Sequence, residues 1–211
     1  MNNNMATALC RLILVAVLFF GSTAAKASLQ EGIDAFHGGN HRTALEKFTP
    51  LANNGNAVAQ FYLGKIYMQG LGAQPDFNKA ISWTRKAAKQ KNTEAENFLG
   101  FLYYYGLGTP QSYTEAMSWY RKAADAGNVK AQTSLGMMYV NGQGASQDPV
   151  QAYKWLKLAE LAGEADAGSK LRAVEQKMTE QQIKEGEALV QKWKSRPEPE
   201  SKPKQKPKSK R

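Results

Sequence analysis

Two histidines, His37 and His41, are the residues whose type and spacing could bind a transition metal. Imidazole nitrogens are common metal ligands, and two of them four residues apart can share one face of a helix. The residues between them are Gly38, Gly39 and Asn40, which favour a turn over a helix. The pair therefore does not share a helical face, and we predict turn and surface positions, no metal site and no cofactor.

Glycine pairs are the second pattern with chemical potential, because glycine-rich loops can hold phosphate groups. Each pair here follows a predicted helix, whereas a nucleotide-binding loop follows a strand. The sequence also lacks a nucleophile elbow and a zinc signature, and its acidic residues are scattered. We predict that the chain has no catalytic residues and is not an enzyme. The pairs are Gly70 and Gly72, Gly106 and Gly108, and Gly142 and Gly144.

The N-terminal segment predicts export. Arg11 precedes an unbroken apolar run at 12–20, and small residues ending in Ala25-Lys26-Ala27 follow. This order is typical of a secretory signal peptide at 1–27 that is cleaved between Ala27 and Ser28, and an uncleaved anchor is the alternative. We expect a periplasmic or secreted protein. Cleavage would remove Cys10, the one cysteine, and with it any disulfide or thiolate site.

Positive charge is concentrated at the ends of the chain. The formal net charge is +10, but residues 195–211 alone contain seven Lys or Arg and two Glu. That segment has no apolar residue except proline, so we predict a disordered basic tail. It is either a solvated extension without a partner or an attachment to an anionic envelope surface. The predicted export argues against a nucleic-acid partner.

The dominant feature of the sequence is a repeat of 36 residues. The pattern A-x-x-x-L-G-x-x-Y-x-x-G-x-G begins at Ala59, Ala95 and Ala131. A second pattern, with Ala80, Trp83 and Lys86 in its first copy, recurs at the same interval. Spacings of three and four residues place each pattern on one face of a helix. A fixed period in this range is typical of stacked helical units.

Capping residues indicate where these helices begin and end. Asp76, Ser112 and Asp148 stand near the start of each second helix, where such side chains accept hydrogen bonds from free amides. Glycine closes most of the second helices, but Lys91 takes that place in one unit. A left-handed lysine would cost about 1–2 kcal/mol, so this turn could differ in conformation from the turns that glycine closes.

These residues resemble the Sel1-like repeat, a relative of the tetratricopeptide repeat. Three units match, at 56–91, 92–127 and 128–163. The resemblance implies an all-α fold, a right-handed α-solenoid of antiparallel helix pairs. We expect a capping helical hairpin at 28–55. A degenerate unit with a C-terminal capping helix is expected at 164–194, where Thr179 and Gln182 fit a capping box.

The resemblance also implies a concave groove lined by the first helix of each unit. Its residues should be offset from the motif Leu and Tyr, which face the core. Aromatic and Met side chains suit such a surface, although Phe101 and Met137 could instead pack against the next unit. The candidate groove residues are Phe61, Lys65, Met68, Gln69, Asn97, Phe101, Tyr104, Tyr105, Thr133, Met137, Val140 and Asn141.

The resulting hypothesis is a monomeric, non-catalytic scaffold or adaptor of the bacterial envelope or secreted space. It would bind a partner protein or peptide in the groove. The alternatives are a module that binds peptidoglycan or another glycan, and a regulatory subunit of a cell-wall enzyme.

Overall fold

The structure, a computed structural model, describes residues 25–196. This part of the chain forms ten helices and no strand. In chain order they are α1 (25–37), α2 (His41–Asn53), α3 (Ala57–Gln69), α4 (Phe77–Lys89), α5 (Thr93–Tyr105), α6 (Tyr113–Asp125), α7 (Val129–Asn141), α8 (Pro149–Leu161), α9 (Ala167–Glu175) and α10 (Glu180–Lys194). The all-α prediction is confirmed. None of the described helices is long and apolar enough to cross a bilayer.

The chain divides into two compact units, with the boundary between Ser112 and Tyr113. In the first unit, α3 packs against α2 and α4, and α4 packs against α5. In the second unit, α7 packs against α6 and α8, and α8 also packs against α9 and α10. Small alanines that are almost fully buried, such as Ala59 and Ala131, allow these close approaches. The largest fully buried side chains include Phe48, Leu63 and Leu99 in the first unit and Tyr153, Trp155 and Leu156 in the second.

The helix ends follow the capping residues of the sequence. Asp76 accepts a 2.9 Å hydrogen bond from the Lys79 amide, and Asp148 accepts one of the same length from the Gln151 amide. Gly70 ends α3 in the left-handed conformation, with φ of 69°. Lys91 is left-handed, with φ of 61°, so its turn keeps the left-handed conformation of the turns that glycine closes; no other non-glycine residue in 25–196 has a positive φ.

Glycines also permit close contact between successive elements. A Cβ atom on Gly64 would lie 2.3 Å from Thr84 Oγ1, and one on Gly136 would lie 2.8 Å from Leu156 Cγ. These distances are below van der Waals contact, which explains two glycines inside helices. The second glycine of a loop pair also lies against the backbone of an earlier helix, as Gly108 lies against the backbone of Phe77.

The described C-terminus is anchored on the second unit. The predicted capping box is present, because the Thr179 amide donates to Gln182 Oε1 at 2.9 Å and the Gln182 amide donates to Thr179 Oγ1 at 3.3 Å. Beyond α10, Arg196 contacts Asp125 through an ion pair of 3.3 Å and a hydrogen bond to its carbonyl oxygen. Ser195 and Arg196, the first two residues of the predicted tail, are thus among the described residues.

The two terminal predictions fall mostly outside this range. Residues 1–24 of the predicted signal peptide and residues 197–211 of the predicted tail lie outside the described residues. The predicted cleavage position, Ala27 and Ser28, lies in the first turns of α1.

Candidate interaction surface

The twelve residues predicted for the groove lie on three corresponding helices, and none of them is buried. Helices α3, α5 and α7 are the first helices of the three repeats, and each carries four of these positions. The motif leucines Leu63, Leu99 and Leu135 on the same helices are buried in the core, as expected. The motif leucines are thus core residues, whereas the twelve predicted groove residues are half-buried or exposed. Whether the surface binds a partner stays a prediction.

Five aromatic rings of the first unit form a continuous surface, which we call the aromatic strip. Phe61 on α3 meets Phe98 on α5 edge-on, with ring centroids 6.1 Å apart. Along α5 the centroid distances are 6.0 Å from Phe98 to Phe101 and 4.7 Å from Phe101 to Tyr105. Tyr104 lies 4.9 Å from Tyr105, whose side chain is 58% exposed. The strip therefore joins two neighbouring helices and ends in a solvent-facing tyrosine.

The strip is attached to the core of the first unit. Tyr62, next to Phe61, stacks on the fully buried Phe48 with ring centroids 4.8 Å apart. Burial, together with the charge of Glu94, raises the pKa of the Tyr62 hydroxyl. Lys65 Nζ lies 5.7 Å from the Phe61 ring centroid, within the range of a cation–π contact. Packing of this kind restricts the rotamers of the rings, so their orientation is largely set before any partner binds.

Phe98 is the member of the strip that the sequence prediction omitted. It lies three residues before Phe101 and seven before Tyr105, so helical spacing alone would have placed the three on one face. Met68 and Gln69 at the end of α3, and Asn97 in α5, lie outside the strip.

In the second unit the corresponding surface contains a pocket, here called the α7–α9 pocket. Its volume is about 410 Å³. Met137 and Val140, two of the predicted groove residues, line its α7 side, and Ala173, Val174, Lys170 and Lys177 line the opposite side. Thr133 and Asn141 bond locally instead, to the Val129 carbonyl and to the Gln143 side chain, each at 3.3 Å. Apolar side chains thus predominate in the lining, which also includes Tyr139, Gln147, Pro149 and the two lysines.

The histidines that could have suggested a metal site are part of the packing around Phe36. The His37 ring lies 5.5 Å and the His41 ring 5.6 Å from the Phe36 ring, both edge-on. His37 Nε2 is 3.2 Å from the Tyr62 hydroxyl. Within residues 25–196 there is no group of three or more His, Cys, Asp or Glu side chains that could hold a metal ion.

Comparison with known protein families finds the same period of 36 residues, with each match beginning one residue later than the predicted unit. The model of the Sel1 repeat matches residues 57–92, 93–128 and 129–164, together about half of the chain. The chain belongs to the Sel1 repeat family. Sel1 repeat proteins are generally non-catalytic scaffolds for protein–protein interaction. No curated protein sequence matches the chain.

Two solved structures are similar to this Sel1 repeat protein. One is the crystal structure of a Sel1 repeat protein from Oxalobacter formigenes, with 29% identity and a TM-score of 0.64 over 68% of this chain and 59% of that one. The other is c5321, described as a protective antigen present in uropathogenic Escherichia coli strains displaying an SLR fold. It has 26% identity and a TM-score of 0.57 over 80% of this chain and 45% of that one. The matches thus span less than two thirds of either structure.

The Sel1 motif tyrosines correct one expectation. They were predicted to face the core, but Tyr67 and Tyr103 are only half-buried, whereas Tyr139, which is 6% exposed, is buried as predicted. The hydroxyl groups of the last two accept hydrogen bonds from Arg85 and Arg121 on the preceding helix. A phenol hydroxyl needs a polar partner when it leaves water, and the arginine supplies that partner both to the half-buried Tyr103 and to the buried Tyr139.

Proposed function

We propose that this Sel1 repeat protein is a non-catalytic adaptor that binds a partner protein or peptide through the aromatic strip. The observation that carries the proposal is the continuity of the strip, in which five rings on two helices lie within 4.7–6.1 Å of their neighbours. Four of the rings are half-buried and Tyr105 is exposed, so the strip still presents apolar area that a partner could cover. Contiguous apolar surface on a folded protein often marks an interaction site.

The chemistry of the strip suits protein recognition. Tyrosine offers a large contact area and a polar end while losing little side-chain entropy, and aromatic residues are enriched at energetic hot spots of interfaces. Tyr105 presents most of its ring to solvent, whereas Phe61 and Phe98 hold the inner end of the strip. A partner could therefore bury Tyr104 and Tyr105 without reorganising the helices.

We further propose that the adaptor works in the periplasm or outside the cell. The support is the sequence of residues 1–27, with its basic flank, short apolar run and small residues before Ser28. The similar c5321 structure is described as a protective antigen, which is compatible with an exported protein. A secretion assay that follows cleavage between Ala27 and Ser28 by mass spectrometry of the mature N-terminus tests this point.

The adaptor proposal is tested by site-specific photo-cross-linking followed by binding measurements. A benzophenone side chain is placed at Tyr105, and at Phe77 as the control, because Phe77 is 44% exposed on α4 and outside the strip. We expect a discrete cross-linked partner from position 105 only. The partner is then purified, and the double variant Tyr104→Ala/Tyr105→Ala should weaken its binding by about tenfold or more, since hot-spot truncations exceed about 2 kcal/mol.

Two controls make the result decisive. Phe77→Ala should bind as the wild type does, and the double variant should keep its unfolding midpoint. Equal cross-linking from positions 77 and 105, or unchanged binding by the double variant, would contradict the adaptor proposal. Co-sedimentation with purified peptidoglycan sacculi in the absence of any protein partner would instead support the glycan-binding alternative.

A further inference from the structure

We propose that the α7–α9 pocket binds an apolar side chain of a partner peptide whose adjacent Asp or Glu pairs with Lys170 and Lys177. This inference rests on the proposed adaptor function and names the chemistry of a partner segment. It concerns the second unit alone, separately from the aromatic strip.

The shape and lining of the pocket favour an apolar side chain. Its volume of about 410 Å³ falls in the range of small-ligand sites, and Met137, Val140 and Val174 contribute apolar surface. Met137 is unbranched and flexible, so it can adapt to side chains of different shape. Val174 is 8% exposed and belongs to the core, which gives the pocket a fixed wall.

The positive charges of the pocket lining favour a partner that carries negative charge. Lys170 and Lys177 both line it, and no acidic residue does. Lys170 forms a 3.4 Å ion pair with Asp166, whose side chain is 77% exposed. An exposed pair of this kind is worth little, so a partner carboxylate can replace Asp166 at small cost. Lys177 forms no ion pair with any residue in the range 25–196.

The repeat register shows that these lysines are a departure from the preceding units. The position of Lys170 is occupied by Ser134 one repeat earlier and by Phe98 two repeats earlier, and that of Lys177 by Asn141 and Tyr105. The two positions that are aromatic in α5 are thus both lysine in this unit, Lys170 within α9 and Lys177 two residues after its end. The lysine-rich segment 197–211 carries the same sign of charge and is therefore not the expected occupant.

A selection of displayed random peptides on the purified protein tests this inference. We expect the peptides that bind to combine an aliphatic or aromatic residue with a neighbouring Asp or Glu. For one selected synthetic peptide, Lys170→Glu/Lys177→Glu should weaken binding by about tenfold, and a peptide with its acids changed to Lys should recover affinity for that variant.

The control is Lys184→Glu/Lys194→Glu, which makes the same change in net charge at a second pocket of this unit, lined by residues of α8 and α10. It should leave binding unchanged. Selected peptides without acidic residues, or equal losses from both double variants, would overturn the inference. A peptide that loses affinity only in Tyr104→Ala/Tyr105→Ala would overturn it too, while leaving the adaptor function in place.

Discussion

The guanidinium group of Arg85 on α4 donates a 2.9 Å hydrogen bond to the hydroxyl oxygen of Tyr103 on α5. Arg121 and Tyr139 make the equivalent contact one repeat later. The guanidinium carbon atoms also lie 5.9 and 5.6 Å from the centroids of the tyrosine rings. In each pair the arginine therefore contacts the tyrosine both by a hydrogen bond to the hydroxyl group and by a cation–π contact with the ring. Each pair connects one repeat to the next.

Removing the Tyr103 hydroxyl group, which accepts the hydrogen bond from Arg85, should lower the stability of the first unit. Tyr103→Phe keeps the ring and removes the hydroxyl, so we expect a loss of about 1 kcal/mol in the free energy of unfolding, measured with urea. Tyr105→Phe is the matched control, because its exposed hydroxyl can bond to water, and it should have no effect. Prior replacement of Arg85 by Met should abolish the effect of Tyr103→Phe; a full effect in that background would contradict the pairing.

The glycine inside α3 should not tolerate a methyl group. Alanine has the higher helix propensity by about 1 kcal/mol, but the added Cβ of Gly64→Ala would lie 2.3 Å from Thr84 Oγ1. We expect a net loss of about 1–3 kcal/mol in urea unfolding, as in other overpacked cores. Thr84→Ala should restore part of that loss. Gly168→Ala, which faces the end of the Glu160 side chain, is the control and should not destabilise.

Replacing the left-handed lysine should stabilise the protein. Lys91→Gly removes the steric strain of φ 61°, and we expect a gain of about 1 kcal/mol and a higher melting temperature. Lys89→Gly, in the last residue of α4, should do the opposite, because glycine weakens a helix. An unchanged or lower midpoint for Lys91→Gly would show that the turn is not strained.

Lys154 should make stability depend on alkaline pH. Burial lowers its pKa below 10.5, as do Arg121, Arg196 and Lys192, while Asp125 opposes the shift. A lysine with a lowered folded pKa binds fewer protons in the folded state than in the unfolded state, so its unfavourable contribution fades as pH rises toward 10.5.

We therefore expect Lys154→Met to be more stable than the wild type at pH 7 and this advantage to shrink by pH 10. Lys154→Arg keeps its charge throughout and should show no such recovery. Urea unfolding at several pH values measures the three proteins. A constant difference between Lys154→Met and wild type would contradict the expected linkage.

The helices could be predicted from the sequence because each unit repeats the same capping residues at its helix ends. Asp76 and Asp148 mark helix starts, and Gly70 marks a helix end. The sequence shows that Lys91 stands where the other units have glycine, and the structure shows that the turn is left-handed there too. These features depend on neighbours a few residues apart, and the sequence displays such neighbours directly.

Contacts between helices were harder to predict. Phe61 and Phe98 stand on different helices, so helical spacing alone could not show that their rings meet. The spacing of 18 residues between Arg85 and Tyr103, repeated at Arg121 and Tyr139, did carry a signal. Hydrophobic periodicity assigns the tyrosines to the core without regard to the hydroxyl group, so it does not predict the hydrogen bond to arginine.

The contacts of the second glycine in each loop pair also affect how a chain of this kind can gain repeats during evolution. Gly72, Gly108 and Gly144 abut the backbone of His41, Phe77 and Tyr113, in each case 31 residues earlier. The loop of one repeat is thus fitted to the helix start of the repeat before it. Duplication of a 36-residue segment would bring with it both halves of a matching joint, so the gene can gain whole repeats without first evolving a new interface.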